Sequence, residues 1–316
     1  MIIDIFNHIY PREYVDAIPQ HPSWLSSVLK KREAVDMQYR IKVMDKEGVD
    51  IQVLSAPVAT VTELLVPTSS FVKIMKKAND SLSEICEKSH GRFKGVANLS
   101  LLDVGEAVDE LNRAVKDLGL VGALIPSNVK GKPLDSSEFD PFYDKAEQLN
   151  ATIWIHPREI YKIYNWVNDD YHMNQIIGWD IDTTFAMFRI MRGGVFERHP
   201  KLKIIIHHLG ALIPLLAYRI NSHIMREGKN GLPPSPLKKS PMELMKMFYV
   251  DTAEGMWKLW LETAVKFFGP DHILFGTDFP QAPIKDIMDN VKSLEISDTD
   301  KKKILGENAA KLLGIR

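Results

Sequence analysis

The feature that most constrains this chain is an alternation. Short, β-branched apolar runs recur eight times, and between them lie stretches with apolar residues at three- and four-residue steps. The runs are Ile2–Phe6, Ile51–Ser55, Phe93–Asn98, Val121–Ile125, Thr152–Ile155, Lys203–Ile206, Phe248–Asp251 and Ile273–Phe275. Each is apolar on both faces, as strands of a parallel sheet are when helices cover them. Helical spacing marks Ser70–Ser89, Val104–Leu118, Asp140–Leu149, Thr183–Arg198 and Met256–Phe268. Successive parallel strands need a crossover between them, so this order predicts a TIM-type (β/α)₈ barrel, α/β in class. At 316 residues the chain is long for one core, but α/β barrels reach that size, and residues 1–316 read as a single domain. A doubly wound open sheet is the competing arrangement. It is weakened because no glycine-rich dinucleotide turn follows the first run.

Two stretches exceed a minimal barrel. Pro11–Tyr39, with Trp24, forms a long insertion after strand one. His156–Asp182, with Tyr161, Tyr164, Trp166, Tyr171 and Trp179, forms another after strand five. Long loops on that face of a barrel build the pocket or its lid. Aromatics at these spacings serve equally as packing under a loop or as the walls of a pocket for a flat molecule. Gly228–Pro241 is rich in Pro and Gly and reads as an exposed loop.

Polar residues fall at the strand ends. His8 follows strand one, His156 follows strand five, His207 and His208 follow strand six, and Asp278 follows strand eight. A barrel collects its strand ends on one rim, where its chemistry is done. Pro157, Gly210 and Pro280 follow His156, His208 and Asp278 within two residues and turn the chain away. Neutral imidazoles with a carboxylate suit a borderline divalent ion such as zinc. The other six histidines, His21, His90, His172, His199, His223 and His272, fall in helices, loops or strand starts and read as structural or surface residues.

A net charge of −1 argues against a nucleic-acid or anionic-lipid surface. The opening Met1–Tyr10 is too short and polar for a signal peptide or a membrane span. The single cysteine, Cys86, permits no internal disulfide; it reads as a structural thiol in a helix, in a cytoplasmic protein.

The segments Ile2–Pro11 (IIDIFNHIYP), Ile155–Pro157, Arg192–Pro214 (RGGVFERHPKLKIIIHHLGALIP), Phe248–Ala253 (FYVDTA) and Leu274–Pro280 (LFGTDFP) resemble the amidohydrolase superfamily. More narrowly, they are similar to its branch of aminocarboxymuconate-semialdehyde and γ-resorcylate-type decarboxylases. The similarity runs nearly end to end, and the Gly193–Lys203 stretch is a specific mark of that branch. The resemblance implies that His8, His156 and Asp278 ligate a divalent metal, and that His208, poised by Asp278 as its catalytic partner, handles the proton. It leaves His207 at a position usually small or apolar, hence structural. Arg40 resembles the arginine that holds a substrate carboxylate, and Arg219 the one supplied across a homodimer interface; a planar guanidinium suits two-point contact with a carboxylate.

One departure stands out. Phe6 occupies the place of the first member of the family's strand-one H-x-H pair, where decarboxylases of this branch carry His or Glu. Phenylalanine cannot ligate, which leaves three protein donors, enough for a catalytic site with open positions but with lowered affinity. Asn7 alternates to the other side of the strand and is no replacement. The expected activity is a metal-dependent nonoxidative decarboxylation of a small aromatic or enol-type carboxylic acid, with no organic cofactor. A hydrolase of lactones, esters or amides, a hydratase, and a non-catalytic barrel that lost its metal with Phe6 are the rivals.

Overall fold

The computed structural model describes residues 1–11, 15–16, 23–56, 67–158, 170–229 and 237–315. All eight runs form strands: β1 Ile3–His8, β2 Ile51–Ser55, β3 in two pieces (Phe93–Gly95 and Ala97–Asn98), β4 Gly122–Pro126, β5 Thr152–His156, β6 Lys203–Ile206, β7 Tyr249–Asp251 and β8 Ile273–Leu274. Neighbours pair in parallel in chain order, with Ile3 beside Ile51, Gly122 beside Thr152, and Ile155 beside Ile206. The break inside β3 is bridged on both sides, where Val96 N–H donates to Leu54 O at 2.9 Å and Val121 N–H to Gly95 O at 2.9 Å. The seam closes where Ile5 N–H reaches Phe275 O at 2.9 Å and Asp278 N–H reaches Phe6 O at 2.9 Å. A closed ring leaves no strand edge to pair with another chain.

Alternation along the strands sorts their side chains into two cores. Ile5, Phe6, Val53, Leu124, Trp154, Ile205 and Leu274 fill the barrel, joined by Ala309 and Leu312 of a C-terminal helix, Asn308–Leu313. Ala123, Ile125, Ile153, Ile155, Ile204, Ile206 and Val250 face outward against the helices. Those helices are α1 Met37–Glu47, α2 Thr68–Lys88, α3 Val104–Lys116, α4 Asp140–Leu149, α5 Trp179–Arg192, α6 Ile213–Ile224, α7 Lys258–Phe268 and α8 Ile284–Lys292, one after each strand. The expected helix Thr183–Arg198 is instead α5 plus a short turn, Val195–Arg198. Gly193 and Gly194 separate them, and Gly194 takes φ +73°, which side-chain-bearing residues avoid. The α5 helix also starts earlier, at Trp179, which places that indole at the mouth.

The excursion after β1 contains two short helices, Ser23–Val28 and Arg32–Val35, before α1. Of the second excursion, Tyr161, Tyr164 and Trp166 lie outside the described residues. Tyr171 is 87% exposed. Among the described residues no helix is long and apolar enough to cross a membrane. The Cys86 thiol is half-buried in α2, and burial pushes it up to about 12, so it is an inert group.

Candidate active site

Four strand ends deliver the expected side chains to one mouth. A register shift in β1 between Asp4 and Asn7 re-aims the end of that strand. His8 Nε2 there stands 3.1 Å from Asp278 Oδ1, across the barrel seam. The other ring nitrogen, Nδ1, lies 3.2 Å from Ser55 Oγ, whose hydroxyl donates to Asn7 O at 3.3 Å. Asn7 points away from the mouth, accepting from Arg40 Nη2 at 3.2 Å. The His156 ring lies 5.5 Å from that of His8, centroid to centroid, and its Nδ1 is 2.9 Å from Pro157 O. A donor at Nδ1 fixes the tautomer and leaves Nε2 with its lone pair. Burial first, then the neighbouring His8 and His207, holds His156 well below the ordinary histidine range, so the ring stays neutral.

The Asp278 carboxyl behaves oppositely. Burial raises it, but the close contact with His8 and the fields of His8, His208 and His156 together bring it below the usual aspartate range. Its backbone takes φ +60°, and a fifth of its side-chain surface stays open. The 3.1 Å approach to His8 is off the hydrogen-bond axis, so Asp278 Oδ1 is buried without an aligned donor. Two ligand atoms each about 2.1 Å from one ion stand roughly 3 Å apart, so the pair has the spacing of adjacent ligands. Among the described residues no three His, Cys, Asp or Glu side chains are drawn in around a single point. The unpaired Oδ1, the neutral His156 and the N,N,O donor chemistry nonetheless fit a divalent ion.

After β6 the backbone is bent to serve the mouth. His208, Leu209 and Ala211 all take φ between +51° and +57°, conformations that cost non-glycine residues about 1–3 kcal/mol each. Gly210 sits between them because a Cβ there would meet the Phe268 ring at 2.8 Å. The turn is held by Asp251 at the end of β7, whose Oδ1 accepts from His208 N at 3.0 Å and Ala253 N at 3.1 Å. Asp251 Oδ2 lies 2.5 Å from His207 Nδ1. Burial pushes Asp251 up to about 7 and His207 well below the ordinary range, so charge is disfavoured on both partners. The His208 ring stacks over Trp179 at 6.4 Å, 11° from parallel. Among the described residues its ring nitrogens have no hydrogen-bond partner, which leaves them available to a substrate.

Asp251 is the residue sequence reasoning missed. It ends strand seven just as the others end theirs, so the strand-end rule was sufficient to find it.

The two arginines part company. Arg40 was expected to hold a substrate carboxylate; it is fully buried instead, with all five guanidinium donors engaged. Nε donates to Gln52 Oε1 at 2.6 Å, Nη1 to His8 O at 2.8 Å and Glu33 O at 3.1 Å, and Nη2 to Asn7 Oδ1 at 3.2 Å and Phe279 O at 3.4 Å. Nothing remains for a carboxylate, and Arg40 is a strut between β1, β2 and the turn after β8. Arg219 is exposed on α6, on the outer face of the barrel.

The family model described as amidohydrolase matches residues 3–315. The gamma-resorcylate decarboxylase of Rhizobium sp. is 32% identical over 288 residues, covering 86% of this chain and 85% of that protein. The 2-amino-3-carboxymuconate-6-semialdehyde decarboxylase of Dictyostelium discoideum is 30% identical over 292 residues, covering 89% and 77%. Among solved structures, the dihydroxybenzoic acid decarboxylase of Polaromonas sp. JS666, with bound manganese and the inhibitor 2-nitroresorcinol, superposes with a TM-score of 0.86. It is 27% identical, with 99% of this chain and 97% of that one covered.

Proposed function

This chain belongs to the amidohydrolase family, and on that premise we propose that it is a nonoxidative carboxy-lyase acting on a small aromatic or enol-type carboxylic acid. One observation carries the reading: His8, His156, His208 and Asp278 meet at one barrel mouth, with neighbouring rings within 6.5 Å and His8 on Asp278 at 3.1 Å. Relatives that match over most of the chain are named gamma-resorcylate decarboxylase and 2-amino-3-carboxymuconate-6-semialdehyde decarboxylase, and the Polaromonas neighbour was solved with manganese. His8, His156 and Asp278 are the residues that would hold a divalent ion, zinc by the nature of its donors or manganese by analogy with that neighbour. When bound, the ion polarises the substrate oxygen next to the departing carboxylate.

His208 does the proton work. Its imidazolium gives a proton to the ring carbon as the bond from that carbon to the carboxylate breaks and carbon dioxide leaves. The bonding pair stays on carbon to take the proton, so no electron acceptor is needed. The Trp179 indole lies nearly parallel to the His208 ring and orients it at the mouth. Asp251, through the backbone N–H of His208, holds the bent turn that presents the ring.

With Arg40 fully engaged, the cation for the carboxylate comes from Arg219 of a second copy. That homodimer reading is supported by α6, the helix that carries Arg219, which exposes Leu215 (66%) and Tyr218 (81%), with Met225 (56%) exposed just past its end. The match over residues 3–315 supports one domain across 1–316, and the lone Cys86 is in keeping with a cytoplasmic setting.

The deciding experiment incubates metal-loaded protein with gamma-resorcylate and related hydroxybenzoates while following both acid and carbon dioxide. Release of carbon dioxide in step with loss of acid is expected. Turnover of lactones or esters without carbon dioxide would make the chain a hydrolase.

A further inference from the structure

His207 is a titratable group at the mouth that the mechanism leaves unused, and its surroundings are unusual. Its side chain is wholly buried, yet Nε2 has no hydrogen-bond partner among the described residues. Leaving such an atom unpaired costs about 1–3 kcal/mol. Its other nitrogen is fixed at 2.5 Å from Asp251, whose remaining oxygen is saturated by two backbone N–H groups. The ring lies flat on Phe6, 3.5 Å between centroids and 18° from parallel. It also lies 5.7 Å from the His156 ring, nearly the 5.5 Å that separates His156 from His8. Imidazoles bound to one ion through nitrogens about 2.1 Å away place their centroids roughly 5–6 Å apart. His207 therefore has the spacing of a ligand, in contact with the one side chain that cannot be one.

We propose that His207 is the fourth protein ligand of the divalent-ion site, its Nε2 supplying the donor that Phe6 cannot. The inference rests on the ion-binding reading of His8, His156 and Asp278 given above. Asp251 then acts on the ion as well as on the turn, because a carboxylate at Nδ1 orients a ligating imidazole and strengthens its other nitrogen as a donor. Phe6 does not merely vacate a position. It props the replacement ring by its face, and Gly276 makes room for this, since a Cβ there would meet Asp251 Cβ at 2.8 Å and Phe6 Cβ at 3.1 Å.

The test is Mn²⁺ affinity, read from the free-ion electron paramagnetic resonance signal of protein stripped with chelator and retitrated. Wild type should bind one ion. Asp251→Asn, which keeps the shape of the side chain, should weaken binding by the ~10–100-fold that loss of an orienting partner costs. His207→Gln should weaken it further, and Co²⁺ loaded in place of Mn²⁺ should change its visible absorption between wild type and His207→Gln. The double variant Phe6→His with His207→Gly should bind again, because it returns the donor to strand one. Variants that fold by circular dichroism yet hold Mn²⁺ as tightly as wild type would confine His207 to packing and overturn this proposal alone. A wild type that takes up no ion would overturn the metal site itself, and this proposal with it.

Discussion

Two buried polar clusters lie side by side at the seam of this barrel, and they are wired differently. In the first, Arg40, Gln52, Asp4, Asn7 and Thr277 satisfy one another. Asp4 accepts from Thr277 N at 3.0 Å, Thr277 Oγ1 at 2.7 Å and Gln52 Nε2 at 3.3 Å, while Arg40 spends every donor on β1, β2, the turn after β8 and the Glu33 carbonyl. In the second, His8, His156, His207, His208 and Asp278 crowd together with donor and acceptor atoms left over, among them His207 Nε2 and Asp278 Oδ1. A closed network gives rigidity and offers nothing to a ligand; an open one is held in place by its surroundings and keeps its valences for something that arrives. The two aspartates carry the contrast in their acidity. Burial pushes Asp4 up to about 7, whereas the imidazoles around Asp278 bring it below the ordinary range despite burial.

The sharpest way to break this division is His208→Ala. Removal of the proton donor should lower kcat by ~10²–10⁴-fold while the thermal midpoint stays near wild type. Full turnover in the variant, measured as carbon dioxide release, would move the acid–base role elsewhere. Arg40→Ala should do the reverse. Loss of a buried cation that binds two strands and a turn leaves Gln52 Oε1, Asn7 Oδ1 and several carbonyls without their donor, and about 3–5 kcal/mol of stability goes with it. Denaturant titration reads this. If the variant unfolded like wild type but lost affinity for substrate, Arg40 would be a ligand-binding residue after all.

How far these clusters are legible in the sequence follows from the same contrast. His8, His156, His208 and Asp278 are visible because apolar strands throw a lone polar residue into relief, and a barrel gathers strand ends by topology. Asp251 meets the same criterion and is easily passed over at the end of a short strand. The role of Arg40 cannot be read from the chain, because sequence shows a guanidinium on an amphipathic helix but not which carbonyls it faces; Gln52 and Phe279 lie 12 and 239 residues away. His207 reads as merely structural for a related reason. Its surroundings depend on a ring stacked on Phe6 and a carboxylate 44 residues downstream, relations that only folding creates. The helix expected at Thr183–Arg198 begins too late and runs too long because its periodicity continues through Gly193 and Gly194, where the backbone turns.

Within the closed cluster, Thr277→Val is the milder probe. It keeps the side-chain volume but removes the hydroxyl that donates to Asp4 Oδ2, and the strand-end turn of β8 should lose about 1–3 kcal/mol. Because Asp278 is the next residue, the division predicts a stability change with little change in catalysis. A large fall in kcat with unchanged stability would mean the two clusters are coupled through that turn.

The smallest effect is a slope. In the unfolded chain Asp4 titrates near its ordinary 3.8, and in the folded barrel it is raised to about 7. Between those values the native protein holds a proton that the unfolded chain has released, so stability from this group is complete below about pH 4 and is lost as pH rises through about 7. One such group can tilt the curve by no more than about 1.4 kcal/mol per pH unit. Asp4→Asn carries no titrating proton and should flatten the fall in thermal midpoint between about pH 4 and 7, at the cost of a lower midpoint overall. If the slope survives the substitution, the titrating proton belongs to the other buried carboxyl of similar acidity, Asp251, and the pH response of the fold originates in the open cluster.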